Sequence, residues 1–227
     1  MEKIYQFEYN GAKATVILPE NGNGEWIWKT EFFYEFDEAE RALLEMGYAR
    51  VYYAISNRYG SDKAVRLMDD FYHYVVREFG LRDRCHLFGF SRGGLYAFNF
   101  ARRYPERVAS VYLDAPVLDV RSWPPQGSHE HDEMLEEYGL TEETFPAYRG
   151  APIDNLGDFF EKGLPLLLVA GDADEVVPLA ENAGILLDYC KENGIIVESI
   201  IKPGCKHHPH SLTDVTPIIA FVKRHSK

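Results

Sequence analysis

The order of apolar patterns along the chain narrows the fold more than any other feature. Short strand-like runs alternate with amphipathic stretches long enough to be helices. Cys85 to Phe88 is a nearly all-apolar strand, and the helical stretch after it is stopped by Pro105. Val108 to Leu113 reads as a strand, and Leu164 to Ala170 as another. Pro178 to Asn193 has a proline at its start and Gly194 after its end, the usual punctuation of a helix. Ile195 to Ile201 is the last strand, and a helix over Pro217 to Arg224 closes the chain. Strands separated by helix-length crossovers build a mainly parallel sheet with helices on both faces.

The N-terminal part adds to this sheet. Ile4 to Tyr9 alternates polar and apolar residues, Asn10-Gly11 is a hairpin turn, and Ala12 to Leu18 runs back. Pro19 to Trp28 reads as a glycine-containing loop. Phe32, Phe36, Ala39, Leu43 and Met46 predict a helix over Glu31 to Met46. Val51 to Ile55 is a strand, and Ser61 or Asp62 caps a helix that runs to Phe79. The expected fold is α/β, a doubly wound and mainly parallel sheet of about seven strands, in a single domain over residues 1–227.

One stretch breaks the alternation. Residues 116–163 hold no strand pattern; they carry Trp123-Pro124-Pro125, several histidines and acids, and a short helical piece near Glu130 to Tyr138. A connection this long is usually functional. It is expected to be a lid or cap insertion over the C-terminal edge of the sheet, where α/β folds bind ligands. Trp123 is then a candidate substrate contact, while His129 and His131 are expected to be solvated.

Charge excludes some partners. With 24 Lys+Arg and 36 Asp+Glu the formal charge is −12, and no basic cluster offers itself to a phosphate backbone or an anionic membrane. No apolar run approaches the roughly 18 residues of a membrane span. Met1 to Asn10 lacks the continuous apolar segment of a secretory leader, so a cytoplasmic chain is the default expectation. Cys85, Cys190 and Cys205 are odd in number and widely spaced, which gives no disulfide framework. Oligomeric state is left open.

The chemistry starts at Gly89-Phe90-Ser91-Arg92-Gly93-Gly94, between a strand and a helix. A serine hydroxyl is a poor nucleophile until a base takes its proton. A tight strand-to-helix turn lifts it clear of its neighbours, and the helix start aims amides at a developing oxyanion. An acid and then a base must follow downstream. Asp172 and Asp174 lie in Gly171 to Pro178, after one core strand. His207, His208 and His210 lie in Lys202 to His210, after the next. Both segments sit at the strand ends that carry Ser91. Asp114, ending Val108 to Leu113, is a reserve acid. His207-His208-Pro209-His210 lacks the helical i, i+4 spacing of many metal sites, and Pro209 bars a helix, so no metal is expected.

On these motifs the chain resembles the α/β-hydrolase superfamily over nearly its whole length. Ser91 then stands at the nucleophile elbow. Gly171-Asp172-Ala173-Asp174-Glu175-Val176-Val177-Pro178 is similar to the family's acid segment with Asp174 as the acid, and the family's histidine falls on His207, three after Gly204. Trp26-Ile27-Trp28, Ser91-Arg92-Gly93-Gly94 and His207-His208-Pro209-His210 together resemble a bacterial subgroup of small, esterase-like hydrolases. The resemblance implies an oxyanion hole from the Arg92 amide and a second amide after the strand ending at Leu18. Many relatives carry His-Gly there; this chain has Pro19 to Trp26, and Trp26 is the expected donor. Trp26 and Trp28 are also candidates for an aromatic substrate wall, and Arg58 or Arg92 for binding an anionic group.

The functional expectation is a serine hydrolase that cleaves a carboxylic ester, an acylated carbohydrate or other small polar ester, without a cofactor. Esters are preferred to peptides because no large accessory domain is visible to select peptides. A peptidase or thioesterase on the same fold, or a ligand-binding protein on a hydrolase scaffold, is the alternative.

Overall fold

The computed structural model describes residues 1–227. Strands Lys3–Tyr9 (β1), Ala12–Leu18 (β2), Trp26–Lys29 (β3), Ala49–Tyr53 (β4), Cys85–Phe90 (β5), Val108–Asp114 (β6), Leu166–Gly171 (β7) and Glu198–Lys202 (β8) form one sheet. Its order is β1-β2-β4-β3-β5-β6-β7-β8. β1 and β2 are an antiparallel hairpin, β2 is antiparallel to β4, and every later pairing is parallel. Helices Glu38–Glu45 (α1), Asp62–Phe79 (α2), Gly93–Arg103 (α3), His129–Tyr138 (α4), Leu156–Glu161 (α5), Ala183–Glu192 (α6) and Thr216–Arg224 (α7) cover it.

The strand count is eight rather than seven, and the addition is β3. Pro19 to Trp28 is a loop only in its first part. Trp26-Ile27-Trp28-Lys29 is buried on both faces, so the polar–apolar alternation of a half-exposed strand is missing. Trp26 and Trp28 stack on one another and face Phe71 and Tyr72 of α2 and Phe100 of α3. Ile27 points the other way, into a cluster with Leu43 of α1 and Phe221 of α7. The two apolar clusters are thus the two faces of the sheet, with α2, α3, α5 and α6 on one and α1 and α7 on the other.

The helix expected over Glu31 to Met46 shrinks to α1. Phe32 and Phe36 have positive φ (55° and 49°), which no helix accommodates. What holds this segment is Lys29, whose Nζ is 2.7 Å from Glu40 Oε1 and donates to the Glu35 carbonyl at 2.6 Å. Both side chains of the pair are buried. Lys29→Met leaves Glu40 without its counter-charge and is expected to cost about 3–5 kcal/mol in urea unfolding. Burial raises the Glu40 pKa. Protonation of a carboxyl whose folded pKa lies above its unfolded value favours the folded chain, so the loss should be smaller at pH 5 than at pH 8. Equal losses at the two pH values would refute this account of Lys29.

The boundaries of other elements shift by a few residues. β4 starts at Ala49, β8 at Glu198, and α6 at Ala183 after a short 3-10 turn over Leu179–Glu181. Residues 116–163 hold α4, α5 and two 3-10 turns. Met134, Leu135, Phe145 and Phe159 from this stretch enter the main core. Asn182 accepts from the amides of Leu118 and Asp119 at 2.8 and 3.0 Å and so fastens its base. His129 is exposed, but His131 is buried and sits 3.1 Å from Glu142, contrary to the expectation of a solvated ring. Its neighbours are Phe145 and the helix that carries it.

Candidate active site

Ser91 lies between β5 and α3 with φ of 50°, the strained backbone that a strand-to-helix elbow requires. Three hydrogen bonds fix the turn. Its amide donates to the Asp114 carbonyl at 3.0 Å, and its carbonyl accepts from Gly94 at 2.9 Å and Val117 at 2.8 Å. Gly89 permits the approach of α3. A Cβ there would lie 2.8 Å from Ala97 Cβ and 2.9 Å from the Gly93 carbonyl.

The loops after β7 and β8 bring the other groups to this edge. His207 Nε2 is 3.0 Å from Ser91 Oγ, and His207 Nδ1 is 2.7 Å from Asp174 Oδ2. The remaining Asp174 oxygen accepts from the amides of Val176 and Val177, both at 2.9 Å. These three contacts, one on Oδ2 and two on Oδ1, fix the orientation of the carboxylate toward the imidazole. All three side chains are buried. Asp172 faces solvent and accepts from the Gly204 amide at 2.6 Å, tying the two loops together.

Contact between these loops depends on Gly171. A Cβ at this position would collide with the carbonyl oxygen of Cys205. Gly171→Ala must therefore push the histidine loop outward. It is expected to cost about 1–3 kcal/mol of stability and to lower turnover at least about tenfold, since small misplacements of a base are expensive. Thermal melts and steady-state kinetics on the same sample read both effects; unchanged turnover would mean that the loop spacing does not matter.

The other two histidines are not equivalent to His207. His208 is exposed and stacks on Phe36, with ring centroids 5.7 Å apart. His210 is buried and pairs with Asp114, Nδ1 to Oδ1 at 2.8 Å. The other Asp114 oxygen accepts from the Ser211 amide at 2.9 Å and the Tyr112 hydroxyl at 2.6 Å. Burial and this neighbouring carboxylate raise the Tyr112 pKa. Asp114 thus anchors the histidine loop.

Several expected contacts are not made. Trp26 begins β3, at the end of the strand away from Ser91, and its indole donates to the Arg82 carbonyl at 2.9 Å. Its amide therefore cannot serve an oxyanion at the opposite edge. Trp28 is core, as its contacts with Phe71 and Phe100 show, so neither tryptophan walls a pocket. Arg58 is held by Glu137 of α4 at 2.8 Å. Trp123 is half-buried and packs toward Tyr59.

The turn Thr30-Glu31-Phe32 replaces Trp26 beside the elbow. The register Lys29 to Phe88 carries β3 forward in step with β5, and Thr30 donates its amide to the Phe88 carbonyl at 3.0 Å. The Thr30 hydroxyl reaches the Gly93 carbonyl at 2.8 Å. Glu31 is buried against Arg92, Oε2 to Nε at 3.3 Å, and accepts from Ser56 at 2.9 Å. Burial raises the Glu31 pKa against the opposing pull of Arg92. Arg92 also lies over the Phe32 ring, 5.3 Å from its centroid. The signal for this turn was the β-prone run Trp-Ile-Trp just after Gly24, which makes a strand and puts the next loop at the reactive edge.

A parallel α/β sheet with a strained serine elbow and a serine–histidine–aspartate chain at its C-terminal edge defines an α/β-hydrolase of the serine hydrolase kind. Residues 45–227 match the prolyl oligopeptidase family, and the chain belongs to it. No curated protein is significantly similar in sequence. Among solved structures, an S-formylglutathione hydrolase from Agrobacterium tumefaciens superposes with a TM-score of 0.69 at 17% identity, over 99% of this chain and 94% of that one. An acylaminoacyl peptidase from Pyrococcus horikoshii superposes with a TM-score of 0.68 at 16% identity, over 92% of this chain and 38% of that one. A puromycin-hydrolysing peptidase from Mycobacterium tuberculosis gives 0.70 at 12% identity, over 99% and 38%. The chain thus spans little more than a third of these two peptidases. At such identities the likeness is one of fold. No helix is long and apolar enough to cross a membrane.

Proposed function

We propose that the protein hydrolyses a small polar carboxylic ester through an acyl-enzyme, with Ser91 as nucleophile, His207 as base and Asp174 as the acid that orients it. The observation that carries the reading is the unbroken chain from Ser91 Oγ to His207 Nε2 at 3.0 Å and from His207 Nδ1 to Asp174 at 2.7 Å. Ser91 gives its proton to His207 as Oγ attacks the acyl carbon. His207 passes that proton to the leaving alkoxide, then takes one from the water that releases the acid. Asp174 holds the imidazole in the tautomer with its lone pair toward Ser91 and stabilises the imidazolium. The proposed oxyanion donors are the Arg92 amide, at the start of α3, and an amide of the Glu31–Phe32 turn.

A small substrate suits the burial of Ser91 and His207, each 7% exposed. Half-buried Phe32, which lies under Arg92, and Phe36, which stacks on His208, take the place of the tryptophans as candidate contacts, with Arg92 beside them. The insertion, hydrogen-bonded to the Ser91 carbonyl through Val117, is proposed as the cap over one side. No step calls on a metal or an organic cofactor. A peptidase is the second reading, favoured by family membership.

Comparing short p-nitrophenyl esters, acetylated sugars, a thioester and peptide p-nitroanilides separates these readings. Ester kcat/KM is expected to exceed that for anilides by at least about a hundredfold, because the amide carbonyl is less reactive and its cleavage draws on peptide-binding contacts that a small-ester site does not supply. Anilide turnover equal to ester turnover would transfer the assignment to a peptidase.

A further inference from the structure

The Gly204–Ser211 turn holds a second buried carboxylate–imidazole pair, and one of its nitrogens is left over. His210 Nδ1 is bound to Asp114, while His210 Nε2 is buried and has no hydrogen-bond partner. Buried polar atoms without partners are few in folded proteins, and each calls for an explanation. His207 is built alike, with Asp174 on Nδ1 and Nε2 turned to Ser91. The exposed ring of His208 completes a near-equilateral triangle with them: its centroid is 4.9 Å from that of His207 and 5.0 Å from that of His210, and those two are 4.8 Å apart. One ligand nitrogen from each of the three lies within 4.8 Å of the others. Lys202 fixes the turn by donating to the carbonyls of Pro209 at 2.7 Å and Ser211 at 3.1 Å. The segment lacks the helical i, i+4 spacing and the added Cys or carboxylate ligands of common metal motifs; a tight turn gathers the three rings instead.

We propose that His207, His208 and His210 bind a divalent transition metal of the zinc class, and that its binding shuts off the hydrolase. The inhibitory half rests on the proposed role of His207. Neutral imidazole nitrogens suit zinc, and three of them leave the fourth tetrahedral position to water. A carboxylate behind a ligating histidine fixes the tautomer and raises ligand basicity. Two of the three rings already have one, and the charges of Asp114 and Asp174 match the dication. Bonds of 2.0–2.1 Å place tetrahedral ligand nitrogens roughly 3.3 Å apart. Rotation of the solvent-facing His208 ring, with a small advance of its neighbours, closes the difference. His207 Nε2 has one lone pair. A metal on that lone pair removes the acceptor for the Ser91 proton, so the ion and the reaction exclude each other.

Zinc titration of the full chain against a chromogenic chelator tests the site directly. One equivalent is expected to bind, His208→Ala should weaken binding at least about tenfold, and Ser91→Ala should bind like the unmodified protein. His210→Gln should weaken it similarly, which guards against a local effect of His208. Binding that neither histidine variant changes, or no binding at tens of micromolar zinc, overturns the site. Inhibition is read separately as zinc-dependent slowing of ester turnover, half-complete where the site is half-filled and shifted to about tenfold higher zinc in His208→Ala. Full occupancy with undiminished turnover overturns the inhibitory half. A protein that hydrolyses nothing still answers the titration, so failure of the esterase reading and failure of the metal site are told apart.

Discussion

Ser91→Ala is expected to lower ester turnover by about four to six orders of magnitude while leaving the fold intact. The size follows from the chemistry. Without Oγ there is no acyl-enzyme, and only binding and oxyanion stabilisation remain to assist direct attack by water. The fold survives because the serine side chain makes one hydrogen bond, to His207, whereas the elbow is held by the backbone bonds of residue 91 to Asp114, Gly94 and Val117. Alanine keeps all three and the same positive φ. A thermal melt within a few degrees of the unmodified protein, together with loss of fluorophosphonate labelling, completes the expected result. A variant that still turns over p-nitrophenyl acetate at a tenth of the normal rate would exclude Ser91 as the nucleophile.

Asp174→Asn should lower kcat by about 10⁴, and Asp172→Asn by no more than a few-fold. The two aspartates are two residues apart, but their surroundings differ. Asp174 is buried, with one oxygen on His207 and the other on two amides. Asparagine at this position presents an NH₂ or a weaker acceptor to Nδ1 and favours the tautomer that carries its proton toward Ser91, where it cannot act as a base. Asp172 is exposed and meets only the Gly204 amide. Its loss loosens a loop junction in solvent, a change of the order of one hydrogen bond. Stopped-flow acylation rates for the two variants would show the contrast directly, and similar losses in both would reopen the choice of acid.

The parallel sheet and the reactive edge were legible because they rest on local signals. The runs at Cys85, Val108 and Leu164 are apolar on both faces, as strands covered by helices must be. Gly89-x-Ser91-x-Gly93 must follow one of them for its strained turn to face the edge. The loops after β7 and β8 then carry acids and histidines that the topology delivers to the edge of Ser91. β3 escaped because four doubly buried residues have no periodicity to detect, and the helix expected over Glu31 to Met46 overran its true start at Glu38 in the segment that follows. Phe32 and Phe36 have helical spacing by coincidence; their spacing serves a loop pinned by Lys29 and Glu40, which lie far enough apart in sequence to hide the pairing.

The strand–helix alternation, the elbow and the chemical types of the groups gathered beside it follow from residue patterns a few positions long, since backbone propensity and burial act over such distances. The choice among Asp172 and Asp174, or among His207, His208 and His210, does not. Each set lies within one turn of chain, with similar local chemistry, and what separates its members is which side chain points inward. That direction is set by distant packing: Gly171 against Cys205, Asp114 beneath His210, and Thr30 against Gly93. The unpartnered nitrogen of His210 belongs to the same class of fact, because residues far along the chain are what bury it.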